Sequence, residues 1–139
     1  MNNAINIIKK YEKFEMRKYK CPRGVDTIGY GHVILPNEHL NKINEREAER
    51  LLTIDLQKAK AAVDRNIKVT LNIHQYEALL SFTFNVGGAA LQRSTLRQKI
   101  NREEHEQVMG ELLRWVYAGG RVMRGLVARR MEEGRLYCA

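Results

Sequence analysis

The sequence contains no long apolar run and has only two cysteines among 139 residues. A membrane-spanning helix needs about 18 apolar residues in succession, and no segment approaches that length. A secretory signal needs about seven apolar residues behind a basic start. Here the first isoleucines are interrupted by Asn6 and followed by Lys9 and Lys10. We therefore expect neither stable membrane insertion nor an export signal.

The two cysteines, Cys21 and Cys138, are far apart in the sequence and match no metal-ligand spacing. A disulfide framework, a metal site and a cofactor are therefore not expected. The composition, 44% hydrophobic and 29% charged, has no low-complexity bias and is typical of a globular chain. At this length we expect one domain over residues 1–139.

An excess of basic residues gives the chain a formal net charge of +8. Such a charge attracts polyanions, among them nucleic acid, anionic lipid and the acidic bacterial wall. The basic residues are dispersed from Lys9 to Arg135 with no run of five, so a solvated basic surface explains them equally well. Charge alone does not choose among these possibilities.

The first third of the sequence predicts one helix and a small β element. Ile5, Ile8 and Glu12 have helical spacing, with Glu12 near the helix end. Residues 21–24 (Cys-Pro-Arg-Gly) predict a turn, and residues 25–32 predict a short, irregular strand or hairpin.

The remainder of the sequence predicts helices. Asn44 with Glu47, and Asn72 with Gln75, have the spacing of capping boxes ahead of helical apolar patterns. Shorter helices are predicted over residues 94–101, 103–117 and 126–136, with glycine pairs at 87–88 and 119–120 as stops. The pattern indicates an α+β, mostly helical fold with a small N-terminal lobe, a helical lobe and a cleft between them.

Three residues near the N-terminus have types that suit glycoside hydrolysis, which needs a proton donor at the leaving oxygen and a second group on the opposite face of the sugar. Glu12, Cys21 and Thr27 follow one another at intervals of nine and six residues. A hairpin folded back against the first helix could bring them together. Taken singly, Glu12 is better explained as a surface glutamate, Cys21 as a buried thiol and Thr27 as a strand threonine.

Together with six further blocks, however, this spacing resembles the phage-type lysozymes of glycoside hydrolase family 24 over nearly the whole chain. The blocks are TIGYGH at 27–32, EAERLL at 47–52 with Asp55, SFTFNVG at 81–87, STLRQKIN at 94–101, LRWVYAGG at 113–120 and GLVARR at 125–130. The resemblance implies a lysozyme-like fold with a small lobe at about 13–50. The helical lobe would cover about 60–139 and include the N-terminal helix.

The resemblance also implies an activity, hydrolysis of the β-1,4 bond between N-acetylmuramic acid and N-acetylglucosamine in peptidoglycan. Glu12 would be the general acid, and Thr27 would orient the second group or the attacking water. Sugar-binding positions carried over from the family are Gly31, Val33, Phe84, Asn85, Arg114 and Trp115. For Phe84 and Trp115 a core position is an equal alternative. His32 and Asp55 would form a structural pair that ties the hairpin to the long helix.

Cys21 departs from the commonest family pattern, which has aspartate at this position, although some members have cysteine. A thiol is mostly neutral at pH 7, so Cys21 needs a lowered pKa to act as base or nucleophile. Lys18, Lys20 and Arg23 are close in sequence and could supply positive potential. Residue types leave the choice between inversion and retention open.

The resemblance further implies that the protein is a monomer in the host cytoplasm and reaches the periplasmic wall after a holin has opened the membrane. Two rival interpretations remain. A nucleic-acid-binding module is supported only by charge and helices, without a recognisable motif, so no nucleic-acid partner is expected. The other rival is a lysozyme-like wall-binding protein that lost catalysis when cysteine replaced aspartate.

Overall fold

The computed structural model describes all residues 1–139, most of which are helical. The seven helices are α1 (Asn2–Glu12), α2 (Glu45–Asn66), α3 (Ile73–Val86), α4 (Gly88–Arg93), α5 (Thr95–Asn101), α6 (Val108–Leu112) and α7 (Arg124–Tyr137). The five strands are β1 (Glu15–Lys20), β2 (Asp26–Gly29), β3 (His32–Val33), β4 (Tyr117–Ala118) and β5 (Arg121–Val122). A 3-10 turn, His105–Gln107, precedes α6.

The predicted starts of α2 and α3 are confirmed. The Asn44 side chain accepts a hydrogen bond from the backbone N–H of Glu47 at the start of α2. At the start of α3, Asn72 and Gln75 form a complete capping box, in which each side chain accepts from the other residue's backbone N–H. Ser94 caps α5 in the same way by accepting from the Arg97 N–H. These polar side chains satisfy donors that the helix cannot.

The small lobe contains an antiparallel sheet in the order β1-β2-β3. β2 and β3 lie within the strand or hairpin predicted over 25–32 and one residue beyond it. β1 was not predicted, because five of its six residues are exposed and only Tyr19 is partly buried. Its register with β2 is interrupted between Glu15 and Tyr19. Without a buried face, a strand has no alternating apolar pattern to recognise.

The predicted all-helical remainder was wrong in two places. Residues 103–117 form only a 3-10 turn and the five-residue α6, after which β4 and β5 pair as a second hairpin. Gly119 and Gly120, taken as a helix stop, are the hairpin turn, and both have positive φ. Gly87 does end α3, but α4 begins at the next residue.

The core lies around α3, which packs against α1, α2 and α7. Leu79, Leu80 and Phe82 of α3 are fully buried. The chain thus has a mostly helical α+β fold, with the small β-sheet lobe followed by a helical lobe, as the sequence predicted. None of the helices combines the length and apolar character needed to span a bilayer.

Candidate active site

A cleft of about 530 Å³ lies between the sheet of the small lobe and the helices α1, α3 and α7. It brings together all nine residues that the sequence proposed for catalysis or sugar binding: Glu12, Cys21, Thr27, Gly31, Val33, Phe84, Asn85, Arg114 and Trp115. The first and last of them, Glu12 and Trp115, are 103 positions apart in the sequence. Their meeting in one concave surface makes the cleft the candidate active site.

Glu12 is the last residue of α1 and faces the cleft. Its Oε2 accepts a hydrogen bond from Nη1 of Arg129 at 2.7 Å, which fixes the direction of the carboxylate. The other side of the carboxylate rests against Gly31, where a built Cβ would lie 2.6 Å from the Glu12 Cδ atom. Gly31 also has a φ of +74°, so only glycine fits here without displacing Glu12.

Arg129, which sequence reasoning missed, connects Glu12 to a buried network. Its Nε donates to Oε2 of Glu133 at 3.2 Å, and Nη2 donates to the Ser81 carbonyl at 3.1 Å. Arg129 and Glu133 are essentially inaccessible to water. Burial raises the pKa of Glu133, opposed by the guanidinium groups beside it. The only sequence signal was the pair of arginines in GLVARR, which cannot be assigned a partner without the fold.

Cys21 and Thr27 line the cleft from the small lobe, Cys21 just after β1 and Thr27 on β2. Burial raises the pKa of the Cys21 thiol. This is outweighed by backbone N–H groups of Val25 and Arg23, the Thr27 hydroxyl and the Arg23 charge, so the pKa lies below its usual value. Thr27 is buried, and its hydroxyl also donates to the Val25 carbonyl at 3.0 Å. The hydroxyl has a single proton, so it donates either to this carbonyl or to the thiolate.

His32 is buried and makes contacts with two carboxylates. Its Nδ1 lies 2.7 Å from Oδ2 of Asp55 on α2, and its Nε2 lies 2.9 Å from Oε1 of Glu38. The hydrogen bond with Asp55 raises the pKa of His32, although burial opposes it, and Glu38 adds to the rise. The sequence suggested Asp55 but gave no signal for Glu38, which is in an irregular loop. The three side chains tie the small lobe to α2.

The helical wall of the cleft combines aromatic and polar side chains. Trp115 packs edge-on against Phe82 with ring centroids 5.6 Å apart, so it has both a core contact and a cleft surface. Arg114 is held by Glu111, whose Oε1 lies 3.0 Å from Nη1. The unpredicted hairpin extends this wall with Tyr117 and Ala118, which also line the cleft.

No group of three or more histidine, cysteine or acidic side chains is arranged to hold a metal ion. Both cysteines are free, and Cys138, exposed at the end of α7, is not part of the cleft. What the cleft presents is a carboxylate and a thiol with a lowered pKa in a groove with aromatic walls.

Comparisons with known proteins agree with this fold. The muramidase domain of SpmX from Asticaccaulis excentricus has a TM-score of 0.87 and 26% identity, covering all of this chain and 97% of that chain. The endolysin of Bacillus phage B103 is 39% identical over 136 residues, 96% of this chain. The endolysin of Acyrthosiphon pisum secondary endosymbiont phage 1 is 35% identical, over 94% of this chain and 92% of that protein.

These likenesses place the chain among proteins with a lysozyme-like fold. Residues 9–133 match the family model described as phage lysozyme, so the chain belongs to the phage lysozyme family. The chain spans about half the length of the Bacillus phage relative, 52% of it.

Proposed function

We propose that this protein is an endolysin that hydrolyses the β-1,4 bond between N-acetylmuramic acid and N-acetylglucosamine in bacterial peptidoglycan. The observation that carries the proposal is the meeting of Glu12 and Cys21 in one cleft of a phage lysozyme fold. An open groove suits a long glycan strand, which has to pass through the site rather than be enclosed by it. The formal charge of +8 favours the approach of an anionic wall.

In this mechanism Glu12 protonates the glycosidic oxygen as the bond breaks. Arg129 and Gly31 hold the carboxylate in place from two sides, which supports efficient proton transfer because a general acid must be within hydrogen-bond reach of its acceptor. The proton goes from Glu12 to the departing sugar, and water adds its hydroxyl group to the anomeric carbon. The remaining proton of the water goes to the Cys21 thiolate if the anomeric centre is inverted, or back to Glu12 if it is retained.

Cys21 is the second catalytic group in the proposal. Hydrogen bonds from the turn and from Thr27 stabilise its thiolate, which could either activate the water or attack the sugar carbon. Thr27 orients this thiolate or the water. The two routes differ in stereochemistry: water activation inverts the anomeric centre, and attack through a thioglycosyl intermediate retains it.

The test of this function is the lysis of permeabilised Gram-negative cells. Glu12→Gln keeps the shape of the side chain but has no proton to donate, so we expect activity to be lost while the fold is kept. Glu106→Gln is the matched control, because Glu106 is exposed and outside the cleft. Activity of Glu12→Gln within about tenfold of the parent would refute the assignment. A parent protein that binds walls without clearing turbidity would instead be a wall-binding protein.

The proposed setting is host lysis by a phage. The protein would act as a monomer made in the host cytoplasm, with a holin opening the path to the periplasmic wall. Support comes from the endolysin relatives, while no feature of the cleft calls for a nucleic-acid partner. Expression in host cells should leave them intact until the inner membrane is permeabilised. Lysis without that step would contradict the requirement for a holin.

A further inference from the structure

A fully buried arginine lies behind the cleft and contacts one of its polar side chains. Arg130 of α7 donates from Nη2 to Oδ1 of Asn85 at 2.7 Å. Its guanidinium carbon lies 5.0 Å from the centroid of the Phe82 ring, and its Nε lies 2.8 Å from Oε1 of Glu133. Arg130 has no exposure to solvent, and Asn85 is its direct hydrogen-bond partner among the residues that line the cleft.

The contact determines how the Asn85 amide is oriented. A guanidinium has only hydrogen-bond donors, so the oxygen of the amide must face it and the NH₂ group must point elsewhere. A flipped amide would place two donors against each other, and Nη2 would keep only its longer contact with Oε2 of Glu133, at 3.4 Å. Loss of this hydrogen bond makes the flipped form about ten to a hundred times less populated than the observed one.

The Asn85 Nδ2 group is left without a protein acceptor. The side chain's one hydrogen bond within the protein is the bond from Arg130, and Nδ2 is not among the buried polar atoms that lack a partner. Since Asn85 lines the cleft, this donor is available to a bound molecule. The positive charge on Arg130 also polarises the amide, which strengthens its N–H groups as donors.

We propose that Arg130 is a positioning residue that fixes the Asn85 amide as a hydrogen-bond donor to a carbonyl oxygen of the substrate. This inference rests on the proposed function. Peptidoglycan offers two kinds of such oxygen, the N-acetyl carbonyl of its sugars and the peptide carbonyls of its stem. An amide with the opposite orientation would select hydroxyl or amine donors instead.

The first experiment replaces the donor and keeps the acceptor. Asn85→Asp still accepts from Arg130 but has no N–H, so we expect the KM for soluble glycan strands to rise about tenfold with kcat changed less than about twofold. Asn37→Asp makes the same charge change on an exposed loop and should alter neither constant. A partly unfolded variant would lower kcat and leave KM unchanged. An unchanged KM for Asn85→Asp would overturn the proposal.

The second experiment identifies the carbonyl by comparing the parent with Asn85→Ala on modified substrates. If the acceptor is the N-acetyl group, the difference in KM should disappear on N-deacetylated strands. If the acceptor is in the stem, the difference in KM should disappear on strands from which an amidase has removed the peptide. A difference that persists on both substrates would overturn the assignment of a carbonyl partner.

The third experiment tests whether Arg130 acts through Asn85. Arg130→Lys has a single ammonium, which cannot contact both Glu133 and Asn85 as Nε and Nη2 of the arginine do. With the ammonium beside Glu133, Asn85 loses its donor, so KM should rise in the parent and not in an Asn85→Ala background. Equal rises in both backgrounds would overturn the positioning role. If Arg130→Lys does not fold, the Asn85 variants still decide the donor role.

Binding separates failure of this inference from failure of the proposed function. Trp115 is the sole tryptophan and lies in the cleft, so its fluorescence reports the binding of glycan strands. A parent that binds but does not cleave would refute hydrolysis, and the dissociation constant of Asn85→Asp would then test the donor. We expect that constant to be about tenfold weaker than the parent's, and equal constants would overturn the proposal.

Discussion

Replacing Gly31 by alanine is expected to impair catalysis far more than it impairs stability. The new Cβ would lie 2.6 Å from the Glu12 Cδ atom, whereas an ordinary contact begins at 3.4 Å. The carboxylate would have to move by about 0.8 Å, and a misplacement of about 1 Å can cost a hundredfold in rate. Because Arg129 holds the carboxylate from the other side, that movement also strains or breaks their 2.7 Å hydrogen bond.

A matched variant, Gly120→Ala, separates the free-energy cost of a positive φ at alanine from the effect of the contact with Glu12. Gly120 has a φ of +75°, nearly that of Gly31, and a Cβ there would meet no atom within 4 Å. Both variants should lose about 1–2 kcal/mol of unfolding free energy from the left-handed conformation. We therefore expect similar melting temperatures by circular dichroism, with lysis about a hundredfold slower in Gly31→Ala alone. Equal lysis rates in the two variants would refute this account of how Glu12 is positioned.

Three further outcomes are expected. Cys21 should react with iodoacetamide faster than Cys138, and activity should fall as Cys21 is labelled. Cys21→Asp should lyse cells, whereas Cys21→Ala should not. Full activity of Cys21→Ala would show that the thiol has no catalytic role. Asp55 raises the pKa of His32, so the stabilisation by this pair should be fully present below about pH 6.5 and be lost as the pH rises through the folded pKa. The difference in unfolding free energy between the parent and His32→Gln should therefore shrink as the pH rises. A difference that does not change up to about pH 9 would contradict the charge on the pair. Arg129→Ala removes the partner of a buried carboxylate and should cost about 3–5 kcal/mol by urea denaturation, and a loss below about 1 kcal/mol would show that the network is not needed for stability.

The sequence by itself determined the features whose physical cause is local. Helix starts follow from side chains that cap nearby N–H groups, so Asn44 and Asn72 could be read from their spacing to Glu47 and Gln75. The order of motifs predicted the family. The position of Glu12 at the end of the first helix also followed from its local apolar spacing.

Only the tertiary structure decided which distant groups meet. Arg129 contacts Glu12 across 117 positions, and Arg130 contacts Asn85 across 45, and no pattern within either segment specifies those partners. The hairpin of residues 117–122 was missed for a related reason, because a strand of two residues is too short to show alternation. The orientation of Glu12, the lowered pKa of Cys21 and the donor presented by Asn85 all depend on burial and on contacts between segments. Those quantities exist only once the chain has folded.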